Sequence, residues 1–99
     1  MSLTRIATKT FTAPLVSEGS WGATAIGTHQ SSMDLYAGDD PNYFFIEWDI
    51  PDLEIVEHIG LWVEAGTRVL TDYDGLATLP VEATALLEAN GFTVGEDFK

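Results

Sequence analysis

Cysteine is absent from this chain, which removes disulfides, thiolate nucleophiles and cysteine-based zinc or iron–sulfur sites together. Cations are scarce as well. Arg5, Lys9, Arg68 and Lys99 stand against 16 acidic residues, for a net charge of −12. Such a field repels phosphate, and four scattered cations cannot line a groove, so neither nucleic acid nor an anionic membrane surface is expected as a partner. Apolar runs are as short as Phe44-Phe45-Ile46, far below the roughly 20 residues of a membrane span. Residues 1–15 are interrupted by Thr, Arg, Lys and Pro and lack a signal peptide's apolar centre, which gives a cytoplasmic expectation.

Catalytic motifs are missing too. There is no phosphate-cradling glycine loop and no G-x-S-x-G elbow, so nucleotide chemistry and a hydrolase of that type are not expected. The two histidines, His29 and His58, fall on different predicted elements and match no metal-ligand spacing. The acidic stretch Asp72-Tyr73-Asp74-Gly75 resembles part of a calcium loop. Were Gly75 its sharp-turn glycine, however, Leu70 and Val81 would occupy ligand positions. Asp74-Gly75 is read instead as a turn. Glu47 and Asp49 lie two residues apart on one strand face, but acid pairs recur throughout a chain this acidic and do not single out glycoside chemistry. No cofactor is expected.

What the chain does have is 45% hydrophobic and 11% aromatic residues over 99 positions, enough for one globular domain, 1–99, with a modest core. Turn signals at Ser17-Glu18-Gly19, 28–31, Gly38-Asp39-Asp40-Pro41, Pro51-Asp52, Ala65-Gly66 and Asp74-Gly75 separate segments rich in Thr, Val, Ile and aromatics. Strands are predicted near 3–12, 20–27, 31–37, 42–50, 55–64 and 67–73. A helix is predicted over 80–90: Pro80 suits its first position, and Glu82 complements the dipole. Ala83, Leu86 and Leu87 share a face, and Gly91 provides a left-handed cap that returns Phe92 onto Leu87. The fold class is therefore α+β, a mainly antiparallel meander of five or six strands with one C-terminal helix packed on one face.

Alternation within 42–50 and 55–64 fixes their register. Pairing Ile50 with Ile55 places Phe44 beside Leu61, Ile46 beside Ile59 and Trp48 beside Glu57 on the core side. The opposite side then carries Glu47 beside His58, in a predicted cross-strand ion pair, with Phe45 over Gly60 and Tyr43 beside Trp62. Tyr43, Phe45, His58 and Trp62, rimmed by Glu47 and Asp49, form an apolar cluster too large to stand bare without reason. Three covers are considered. The amino-terminal segment with Phe11, Leu15, Val16 and Trp21 could wrap over it, a second copy could form a homodimer through it, or a more basic protein could dock there. The expected role is a non-catalytic interaction or regulatory protein for a basic partner. The alternative is a small-ligand-binding domain or minor enzyme with a pocket around Tyr43, His58 and Trp62.

Overall fold

Among the described residues five antiparallel strands run in chain order across one sheet, β1 (Thr4–Gly19), β2 (Gly22–Ala37), β3 (Tyr43–Ile50), β4 (Ile55–Val63) and β5 (Leu70–Asp74), followed by one α-helix, α1 (Val81–Ala89). The computed structural model describes residues 2–19, 22–50, 55–75 and 78–99, with the side chains of 13–19, 22–25 and 50 left out. The expected turn at Pro51-Asp52 and the side chains of Leu15, Val16 and Trp21 lie outside the described residues. Among the described residues no helix is long and apolar enough to cross a membrane.

The first two strands differ from expectation. β1 runs through Ser17-Glu18-Gly19, and β2 runs through residues 28–31, so the strands expected at 20–27 and 31–37 are one. Gly27, with φ +155°, marks a bulge and not a turn, because Leu15 pairs with Gly27 while Val16 pairs with Ala25, leaving Ile26 as the extra residue. A 16-residue strand can span about 50 Å, in keeping with the molecule's long dimension of 47 Å. Only residues 33–37 of β2 pair with β3, so the far part of the hairpin extends past it.

The β3–β4 register is the expected one throughout, from Tyr43 opposite Trp62 to Ile50 opposite Ile55. Apolar parity chose it, since a one-residue slip would have turned Phe44, Ile46 and Trp48 to solvent. On the core side these three meet Met33, Leu35, Ile59, Leu61, Val63 and Leu70, and Ala83, Leu86 and Leu87 of α1 cover them. Fully burying one such side chain is worth about 1.5–3 kcal/mol.

Pro80, with φ −58°, lies at the cap immediately before the helix and not at its first position, and its carbonyl accepts from the Thr84 N–H at 3.0 Å. The other end is a complete Schellman cap. Gly91 has φ +84°, its N–H donates to the Glu88 carbonyl, and the Phe92 N–H donates to the Leu87 carbonyl at 3.0 Å. The chain then pairs with the start of β5 through the Thr93 N–H to the Arg68 carbonyl at 2.8 Å and the Leu70 N–H to the Thr93 carbonyl at 3.1 Å. Arg68 closes this corner, its guanidinium 5.3 Å from the Phe44 ring centre and 5.0 Å from that of Phe92.

Candidate functional site

Since the core and α1 occupy one side of the sheet, every second residue of the central strands faces away from them. β3 contributes Tyr43, Phe45, Glu47 and Asp49, and β4 contributes Val56, His58, Gly60 and Trp62. The register with β2 adds Asp34 beside Glu47 and Tyr36 beside Phe45. On the other flank, a bulge after Trp62 aligns Asp72 with Trp62 and Asp74 with Gly60. All six residues expected at the site therefore share this face.

Its aromatic rings form two pairs. Tyr43 and Trp62 meet at 4.7 Å with their planes tilted by 54°. Phe45 and His58 are stacked at 5.5 Å and 27°, and Tyr36 approaches Phe45 at 6.2 Å. His58 neighbours Glu47 as expected, yet among the described residues no ion pair joins them; the imidazole lies on Phe45. Gly60 pairs with Phe45 in the register, but the ring lying on it belongs to Tyr43, since a β-carbon at 60 would come within 3.2 Å of the Tyr43 hydroxyl. Trp62 keeps 39% of its surface exposed. Among the described residues the amino-terminal segment does not cover the cluster: its backbone forms the edge strand β1, and the side chains of Ala7 and Phe11 pack on the opposite side against the core.

Two depressions lie on this face among the described residues. One, of about 370 Å³, is lined by Tyr43, Phe45, His58, Gly60, Trp62, Asp74 and Gly75. The other, of about 280 Å³, lies between Ser32, Asp34, Glu47, Trp48, Asp49 and Val56. Among the described residues five carboxylates stand on this side, from Asp34, Glu47, Asp49, Asp72 and Asp74. Among the described residues the sole ion pair to any of them joins Asp34 to Arg5 at 4.0 Å. Asp34 and Glu47 are direct cross-strand neighbours, an arrangement of like charges that costs stability. No three histidine or acidic side chains converge to hold a metal ion among the described residues.

Sequence reasoning missed Asp34, Tyr36, Asp72 and Asp74. The signal for the first two was present, because they alternate with the core residues Met33 and Leu35. Asp72 and Asp74 depend on the bulge after Trp62, which no residue pattern announces. The chain matches no family model, no curated protein and no solved structure.

Proposed function

We propose that this protein is a non-catalytic interaction module that binds a more basic protein through the outer face of its sheet. Tyr43, Phe45, His58 and Trp62 are the anchors, and Glu47 and Asp49 belong to the acidic rim. The observation that carries this reading is the combination of an accessible aromatic cluster with carboxylates of which, among the described residues, Asp34 alone has a cationic partner. Interface centres favour aromatics, and a charged rim steers and orients the partner. The Asp34–Glu47 apposition fits the same role, because a docked cation relieves a repulsion that the free protein bears. A second copy is a poor occupant: stacking two such faces sets the carboxylates of each against those of the other, with Arg5 the one cation paired to the face among the described residues.

The rival reading, a small-ligand site or minor enzyme around Tyr43, His58 and Trp62, draws on the depression of about 370 Å³. That volume is near the lower end of ligand pockets, which run about 300–1,000 Å³. Its lining is chiefly aromatic rings and glycine, better suited to a protruding side chain than to converging polar catalysis.

Affinity capture with wild-type and Trp62→Ala baits, each at low and high salt, tests the proposal. A basic protein retained by wild type, weakened by salt and lost with Trp62→Ala is the expected result. Equal retention by both baits would contradict it.

A further inference from the structure

We infer that the depression bounded by Tyr43, Phe45, His58, Trp62 and Asp74 seats an arginine side chain of the partner, its guanidinium held between the Tyr43/Trp62 and Phe45/His58 pairs and matched to Asp74. This names the chemistry of the partner and rests on the reading of the face as a surface for a basic protein. Three observations carry it.

Shape comes first. The missing side chain of Gly60 gives its place to the Tyr43 ring, Tyr43/Trp62 and Phe45/His58 supply the aromatic walls, and the end of β5 brings Asp74 to the same depression. Aromatic faces attract cations, and a flat, weakly hydrated guanidinium stacks on them better than a compact ammonium does. A guanidinium can also direct two N–H groups to one carboxylate while lying against a ring.

Charge is the second. Among the described residues Asp74 has no ion-pair partner. A neutral apolar side chain inserted here would strip water from that carboxylate and return nothing. The cation must therefore come from the occupant.

The third is the chain's own use of the motif. On the opposite side of the sheet, one residue along β3, Phe44 and Phe92 meet edge-to-face at 4.9 Å. The Arg68 guanidinium lies over both, and its Nη1 donates to the Asn90 carbonyl at 3.3 Å. The depression beside Asp74 offers the same elements, an aromatic pair and an oxygen acceptor, to a guanidinium from outside.

The test is an amide-resonance titration of the full chain at low salt with N-acetyl-arginine amide, N-acetyl-lysine amide and the neutral N-acetyl-citrulline amide. A parallel titration uses a peptide of alternating lysine and leucine. The arginine probe is expected to shift Gly60, Gly75 and the Trp62 indole saturably, with a Kd on the order of 1–10 mM. Lysine should shift them at least about threefold more weakly and citrulline not measurably, by the loss of the planar cation. Asp74→Asn, at an exposed position, should weaken the arginine probe about fivefold or more by removing the charge-assisted bond. Gly60→Ala, used once its unfolding midpoint matches wild type, should do the same by displacing the Tyr43 ring that lies on residue 60. Equal shifts from citrulline, or an unchanged response in Asp74→Asn, would overturn the arginine seat. If the lysine–leucine peptide shifts the face while the arginine probe leaves Gly60 and Gly75 unmoved, the seat fails and the docking face stands. If neither ligand shifts the face, both fail.

Discussion

Tyr43 is wedged between two glycines: a β-carbon at Gly38 would lie 2.9 Å from its Cδ1, and one at Gly60 would lie 3.2 Å from its hydroxyl. The ring takes the space that a β-carbon would need at each of the two positions. The conformation of Tyr43, and with it the position of Trp62, is therefore set by the absence of a side chain just past the end of β2 and on β4. Gly38→Ala should destabilise the protein by about 1–2 kcal/mol through overpacking. In a Tyr43→Ala background most of that cost should vanish, and a double-mutant cycle from urea midpoints measures the difference.

The like-charge apposition of Asp34 and Glu47 across β2 and β3 predicts a gain of stability on neutralisation. Glu47→Gln should stabilise the free protein by about 0.2–1 kcal/mol, and added salt should shrink the gain because exposed charges are screened. Urea midpoints at low and high salt provide the comparison. A variant that strengthens the free fold while weakening partner binding is expected only where the charge serves binding.

Two backbone positions with positive φ predict opposite outcomes. Gly91, at φ +84° in the helix cap, should lose about 1 kcal/mol or somewhat more on replacement by Ala. Ala65, at φ +51°, and Gly66, at φ +73°, form the β4–β5 turn, where asparagine is favoured over alanine at the first central position. Ala65→Asn should therefore raise stability by about 0.5 kcal/mol or more, read from the thermal midpoint.

These positions also show which parts of the molecule were legible in the sequence. Gly91 and the helix were, because a cap glycine after an Ala83/Leu86/Leu87 stripe allows few readings. The β3–β4 register was, because two strands with an apolar parity each have few compatible alignments. β2 was not. Gly27 and polar residues 28–31 resemble a turn, and only the pairing partner reveals that the glycine accommodates a bulge within a continuous strand. At the candidate site the β3 and β4 residues followed from alternation, whereas the ring over Gly60 was assigned to Phe45 by register and belongs to Tyr43. Side-chain lean along a strand is not encoded in pairing.

Lys99 anchors the carboxy-terminal 3₁₀ turn, its Nζ lying 3.2 Å from Glu88 and 3.5 Å from Glu96. The hydrogen bond and charge of Glu88, followed by the charge of Glu96, raise its pKa above the usual lysine value. A raised folded-state pKa means that the stabilisation is fully present below the unfolded-state lysine pKa and is lost as pH climbs through the folded-state one. Alkaline titration followed by thermal melts should show a small loss of stability in that window for wild type, and the loss should be absent in Lys99→Met.

The central claim, that aromatic anchors on the outer face hold a basic partner drawn in by charge, is tested most directly by binding kinetics of the captured partner. Wild type, Trp62→Ala and the Glu47→Gln/Asp49→Asn double variant are compared at low and high salt. The double variant should associate more slowly, with a weaker salt response and little change in dissociation. Trp62→Ala should release the partner about 30-fold faster, as a hot spot of about 2 kcal/mol requires. An unchanged dissociation rate for Trp62→Ala, or sedimentation showing a wild-type dimer that Trp62→Ala converts to monomers, would contradict the account.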